Sequence, residues 1–252
     1  MPRHIVITGA TSGIGRAIAI HYAKPGIVLG LSGRDTGRLE EVSARCRELG
    51  AEVQPLLVDV TERATLMTAL HSFDSSWPVD LLIANAGVMV GTPPSGLIED
   101  AEAAYDLLKT NVLGLQNTVH SLLPTMMQRR KGQIAIMGSL AGFIPLPDAP
   151  SYCASKSAAM AYGLSLRAGL RGFGIKVSVV CPGYVDTPMA ARESGTQPFK
   201  MPAKNAAEII ARGLEKDRAL IVFPRLFGWL TRLGGILPDR IRGRLVGRFT
   251  VS

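Results

Sequence analysis

The sequence predicts an α/β fold, a doubly wound parallel sheet of about seven strands with helices on both faces. Three observations predict it. Short apolar, β-branched runs alternate with longer segments of helical composition, and no linker, repeat or low-complexity stretch interrupts the alternation. The runs have the continuous apolar character of strands covered on both sides. Between the first run and the first helical segment lies the glycine-rich turn Thr8-Gly9-Ala10-Thr11-Ser12-Gly13-Ile14-Gly15.

Taken in order, Ile5-Val6-Ile7 reads as a buried strand and leads straight into that turn. Residues 16–23 read as a helix with Ala17, Ile18 and Ala19 on its apolar surface. Further strands are expected at residues 27–31, 53–58, 81–84, 134–137, 177–181 and 220–223, and helices notably at about 101–129, 151–169 and 203–216. Helical crossovers between consecutive strands make the sheet parallel. Ligands of such sheets bind beyond the carboxyl ends of the strands, where the glycine turn, Asn85, Ser139 and Pro182 all fall. Strand, glycine-rich turn and helix is the arrangement in which backbone N–H groups and a helix dipole receive a pyrophosphate.

Composition narrows the classes. A chain of 252 residues with 47% hydrophobic content is expected to form a single domain spanning residues 1–252. The first strand starts within a few residues of Met1, and no stretch supplies the roughly 20 apolar residues of a membrane span, so the expected location is cytoplasmic. Cys46, Cys153 and Cys181 are too few and too scattered for a disulfide framework or a zinc site. No metal is expected.

Tyr152 and Lys156 stand four residues apart, a spacing that puts phenol and ammonium on one helix face. A tyrosine ionises near pH ~10, so a phenolate usable near neutrality needs roughly 4 kcal/mol of help, much of which a lysine in a dry site supplies. Taken alone, the pair reads by default as two solvated side chains. Thr8-Gly-x-x-x-Gly-Ile-Gly15, Asn85-Ala86-Gly87, Asn111, Ser139, Tyr152-x-x-x-Lys156 and Pro182-Gly183 add to it. In order and spacing, the chain resembles the short-chain dehydrogenase/reductase family from residue 3 to about residue 223. Ala84 replaces the first of two asparagines often found before Ala-Gly in that family. The resemblance implies a Rossmann-type domain, a nicotinamide dinucleotide, and hydride transfer at a carbonyl or secondary alcohol of a small molecule. It also implies a homodimer or homotetramer.

For the cofactor, NAD-binding domains place an acid about 20 residues after the glycine turn, and here that position is Gly33. Glycine removes the charge that repels a 2′-phosphate, and Arg34 offers a planar cation to grip one, with Arg16 and Ser32 nearby. Asp35 is the counter-argument if it turns inward. NADP(H) is therefore expected over NAD(H). Asp59, with Val60 beside it, resembles the family's adenine-contacting aspartate, while a helix cap is the structural alternative.

The resemblance assigns the chemistry. Tyr152 is the general acid or base, Lys156 stabilises the phenolate and holds the nicotinamide ribose, and Ser139 donates to the substrate oxygen. Asn111 anchors a proton-relaying water, and its place inside a predicted helix is unfavourable unless that helix is locally distorted. Pro182, Gly183, Val185 and Thr187 belong to a loop over the nicotinamide, and residues 189–201, polar and without a hydrophobic period, are the expected substrate lid.

The segment 224–252 is of another kind. Arg225, Arg232, Arg240, Arg242, Arg244 and Arg248 face one acid, Asp239, so about +5 of the chain's net +8 lies here. Leucines and isoleucines recur among them every three or four residues, as in basic amphipathic segments that lie on anionic membranes. A subunit interface or a pocket wall is the competing reading. Nucleic-acid binding is not expected, since no stacking aromatics interleave with the arginines and no recognition motif is present. Three functions follow: an NADP-dependent carbonyl or alcohol oxidoreductase, a membrane-surface reductase of a lipidic substrate, or a non-catalytic nicotinamide-nucleotide sensor. The sensor is expected to lack Tyr152 or Lys156, and both are present.

Overall fold

The computed structural model describes residues 2–93, 98–144, 146–192 and 197–224. Strand β1 (His4–Thr8) is followed by α1 (Gly13–Tyr22), β2 (Val28–Gly33), α2 (Thr36–Glu48), β3 (Glu52–Leu57), α3 (Arg63–Ser76) and β4 (Leu81–Ala84). Then come α4 (Ala101–Leu108), α5 (Leu115–Arg129), β5 (Gly132–Met137), α6 (Pro150–Gly169), β6 (Ile175–Pro182), β7 (Val185–Asp186), β8 (Met201–Pro202), α7 (Ala203–Glu215) and β9 (Leu220–Phe223). Seven strands form one parallel sheet in the order β3-β2-β1-β4-β5-β6-β9. The order reverses direction between β1 and β4, the switch point at which such sheets open a crevice.

Alternation along β1 divides the core. Ile5 and Ile7 pack into the layer that holds Ile18, Ala207 and Ile210 of α1 and α7, while Val6 packs into the layer of Phe73, Val119 and Leu122 from α3 and α5. All three β1 residues are fully buried. The second strand runs on past residue 31 through Ser32 and Gly33, because its backbone ladder with β3 continues to the pair Gly33 and Leu57. Ladder bonds need no apolar side chain, so composition ends that strand early.

The expected helix over 101–129 forms over its whole length and is distorted inside it. Between α4 and α5 the six residues Lys109–Gly114 form a π-helical turn, with Asn111 inside it. A Cβ at Gly114 would come within 2.5 Å of Val60 Cγ2, so the turn also rests closely on the loop after β3. At the other side of the site, β7 and β8 pair through Val185–Met201 and Asp186–Pro202. This ladder ties Met201, the last residue of the expected lid 189–201, to Val185, four residues before its first; residues 193–196 of the lid lie outside the described residues, as does the basic stretch after Pro224. Among the described residues no helix is long and apolar enough to cross a membrane, and no group of His, Cys, Asp and Glu is placed to hold a metal ion. Cys46, Cys153 and Cys181 are buried and form no disulfide.

Candidate active site

The glycine turn is built for close approach. Gly9 takes φ 64° and Gly13 φ 53°, a left-handed backbone that side chains disfavour. At Gly15 a Cβ would overlap the Gly9 carbonyl oxygen. The α1 N-cap, Ser12, makes no side-chain capping bond, which leaves the first-turn N–H groups of Gly13, Ile14 and Gly15 without a cap acceptor. Such a cradle of backbone donors fits a pyrophosphate. Asn85 stitches it to β4: its amide donates to the carbonyls of Thr8 (2.9 Å) and Gly9 (3.0 Å), while Thr8 Oγ1 accepts from the N–H groups of Asn85 and Ala86.

At the end of β2, a Cβ on Gly33 would overlap the Thr11 methyl, so the turn itself fills the place where an acidic side chain would start. Arg34 lies 64% exposed and pairs with Asp59 at 3.2 Å. Burial acts to raise the Asp59 pKa, but hydrogen bonds from Thr61 and Arg34 outweigh it and hold the carboxyl below its usual range. Asp35 turns away from the crevice to cap α2, accepting from the Arg38 N–H at 3.0 Å. Arg16 reaches Glu41 at 3.2 Å. The Ser32 hydroxyl is buried, and its carbonyl accepts from the Ala10 N–H, so Ser32 supports the turn from beneath. Val60 is buried too, its carbonyl taken by the Asn117 amide.

The four residues with an expected catalytic role converge. Ser139 starts a tight turn over Leu140–Gly142, its Oγ accepting from the Ala141 N–H at 3.1 Å. That turn sits on α6: a Cβ at Gly142 would lie 3.0 Å from the Lys156 carbonyl oxygen, and Ser157 Oγ donates to the Gly142 carbonyl. Lys156 is buried, donates to the Met137 carbonyl at 3.1 Å, and places Nζ 5.6 Å from the Tyr152 ring centroid. Burial brings its pKa down to about 8, a shift that the Cys181 thiol opposes. No carboxylate among the described residues pairs with it. A Cβ at Gly87 would lie 3.2 Å from Asn111 Oδ1 and 3.5 Å from Lys156 Nζ, so Asn111 and Lys156 flank the same point of backbone.

Asn111 is buried, and its side chain replaces backbone pairing for Val88: Oδ1 accepts from Val88 N–H at 2.8 Å and Nδ2 donates to Val88 O at 2.9 Å. Nδ2 also donates to Ser155 Oγ at 3.0 Å, and that hydroxyl donates to the Tyr152 carbonyl at 2.7 Å. Ser155 is not legible in the sequence as a site residue, because a serine on a helix has no distinguishing pattern. After β6, Gly183 N–H donates to the Phe223 carbonyl at 2.7 Å beside Pro182 at the strand end, and Val185 is buried. The Thr187 methyl lies 3.1 Å from where a Gly13 Cβ would stand, which brings this loop against the glycine turn.

A family model described as short chain dehydrogenase matches residues 3–198. The chain belongs to that family. Estradiol 17-beta-dehydrogenase 11 of Rattus norvegicus is 30% identical to it over 252 residues, covering 98% of this chain and 84% of the relative. A short-chain dehydrogenase of Sphingobium yanoikuyae, solved in complex with NADPH, superposes with TM-score 0.80 at 27% identity, covering 94% of this chain and 97% of that one. Another, from Burkholderia phymatum in complex with NAD, reaches TM-score 0.83 at 26% identity over 99% of this chain and 96% of its own. This short-chain dehydrogenase is therefore an oxidoreductase of CH–OH groups working with a nicotinamide dinucleotide. Its solved neighbours thus include one with each form of the dinucleotide.

Proposed function

We propose that the protein is an NADP-dependent reductase of a carbonyl, or dehydrogenase of a secondary alcohol, with Tyr152 as its general acid and base. The observation that carries this reading is Lys156: a buried ammonium with no carboxylate partner among the described residues, set against the Tyr152 ring. A cation whose charge burial disfavours gains most from an anion forming beside it, so phenolate and ammonium stabilise each other. The dinucleotide, when bound, supplies or accepts the hydride. Tyr152 gives its phenolic proton to the carbonyl oxygen in reduction and takes it back in oxidation. Ser139 Oγ uses one lone pair on the Ala141 N–H, which leaves its own O–H to donate to that same oxygen as charge grows there. Asn111 fixes Val88 and, through Ser155, the Tyr152–Ser155 turn of the helix that carries Lys156.

The glycine turn, Asn85 to Gly87, Asp59 and Val60, and the run from Pro182 to Thr187 form the cofactor cradle in this reading. Preference for NADP rests on Gly33, where Thr11 leaves no room for an acid, and on the exposed guanidinium of Arg34 beside it. Turnover is to be measured on a panel of ketones and secondary alcohols with NADPH and NADH. Arg34→Ala is expected to weaken NADPH binding about tenfold and NADH binding hardly at all. Equal losses for both, or a wild-type preference for NADH, would refute the NADP reading, and no turnover on any substrate would refute the activity.

A second reading is favoured by where the described chain ends. Pro224 Cδ and Leu140 Cδ1 stand 3.1 and 3.2 Å from the position of a Gly183 Cβ, so the chain leaves the sheet at the rim that carries Ser139. In the sequence, Arg225 comes next and five further arginines lie between residues 232 and 248. An enzyme that meets its substrate at an anionic lipid surface fits a basic segment of that composition. Full-length protein is expected to sediment with phosphatidylserine vesicles at low salt, and a full-length variant with all six arginines changed to Gln is expected to stay in solution, given about 1 kcal/mol per basic residue. Identical sedimentation of the two dismisses this reading.

A further inference from the structure

The first turn of α6, which carries Tyr152, is capped from a distant part of the chain. Pro150 at the helix start has no N–H, and Ala149 before it offers no capping side chain. The first free donor is the N–H of Ser151. Both carboxylate oxygens of Glu99 accept from it, at 3.2 and 3.1 Å. Glu99 is itself held, because the next residue, Asp100, caps α4 by accepting from the Ala103 N–H at 2.8 Å. A second tie lies alongside: Thr92 N–H donates to the Asp148 carbonyl at 2.7 Å, at the entry to α6. A third closes that entry internally, Leu146 N–H donating to Cys153 Sγ at 3.2 Å.

We infer that Glu99 is a positioning residue for Tyr152, holding the first turn of α6 so that the phenol stands at a fixed distance from Lys156 and Ser139. The inference rests on the reading of Tyr152 as the general acid. Pro150 has no N–H and Ala149 no capping side chain, so the Ser151 N–H at this helix start is held by the Glu99 carboxylate. The effect is one of geometry, since small displacements of an acid from its substrate proton lower the rate steeply.

Three variants test this. Glu99→Ala is expected to lower kcat roughly tenfold with the cofactor dissociation constant unchanged. Glu99→Gln, which keeps an oxygen for the Ser151 N–H, is expected to restore most of that loss. In a Tyr152→Phe background, Glu99→Ala is expected to leave the residual rate where it was, because a residue that acts through the phenol has nothing left to position. If Glu99→Ala fails to fold, Glu99→Asp, one methylene short of Ser151, is expected to show the same tenfold fall. Unchanged kcat in Glu99→Ala, a matching loss of cofactor affinity, or a further loss in the Tyr152→Phe background overturns the inference. Full activity in Tyr152→Phe alone overturns the reading beneath it, so the two failures are told apart.

Discussion

Tyr152→Phe is expected to lower kcat by about three orders of magnitude while the dinucleotide still binds. The substitution removes one oxygen and its proton. The ring that stands 5.6 Å from the Lys156 ammonium is kept, as are the Lys156 bond to Met137 and the Ser155 bond to the residue 152 carbonyl. What is lost is the group that moves the proton, and positioned acid–base groups contribute about 10²- to 10⁴-fold. The loss should fall in kcat, with the cofactor dissociation constant, read by fluorescence titration, within about twofold of wild type. The pH profile carries the same logic. Lys156 in the free enzyme titrates at about 8, and its charge is what makes the phenolate left after proton donation tolerable. Carbonyl reduction, followed as kcat/KM, should therefore be constant below that pH and decline above it. Activity of Tyr152→Phe within tenfold of wild type would sink the mechanism.

Much of this site is legible in the amino-acid sequence, and the reason is local. The strand expected at 81–84 and that at 220–223 coincide with β4 and β9, because each is a short apolar run closed by turn residues. The expectation that Asn111 needs a distorted helix is met by the π-helical turn at Lys109–Gly114, where its amide replaces backbone bonds for Val88. Bonds between residues far apart leave no such trace. The Arg34–Asp59 pair joins two residues expected to contact different parts of the cofactor, and the Glu99–Ser151 bond joins positions separated by 52 residues. The β7–β8 ladder is two residues long, too short for any periodicity to show. Gly33 is the mixed case. Its lack of charge is plain in the sequence, but its collision with Thr11, a steric reason for the same absence, arises only when the glycine turn folds back over the end of β2.

Lys156→Met is expected to abolish activity and to make the protein more stable at neutral pH. An ammonium moved from water, where it titrates at 10.5, into a site where it titrates at about 8 destabilises the fold by about 3 kcal/mol as long as it stays charged. Methionine nearly matches its shape and carries no charge. The substitution leaves the Met137 carbonyl without its 3.1 Å donor, which costs about 1 kcal/mol, so a net gain of about 2 kcal/mol is expected, or roughly 5 °C in Tm for a chain of this size. The sign has a pH signature. Because the folded pKa lies below the unfolded one, the unfolded chain binds more protons between about 8 and 10.5, and wild-type stability should rise with pH across that window. The Met variant should lack that rise, so the two curves cross inside the window, and at its upper end wild type, whose neutral amine still donates to Met137, is the more stable by about 1 kcal/mol. Saturating dinucleotide should narrow the neutral-pH gap, since a ligand that accepts hydrogen bonds from Lys156 stabilises wild type more than the Met variant, which keeps the rest of the cradle. A Met variant destabilised at neutral pH, or parallel pH curves, would mean that the buried lysine is already compensated within the protein, and the site would then lack the unmet charge that the proposed role of Tyr152 depends on.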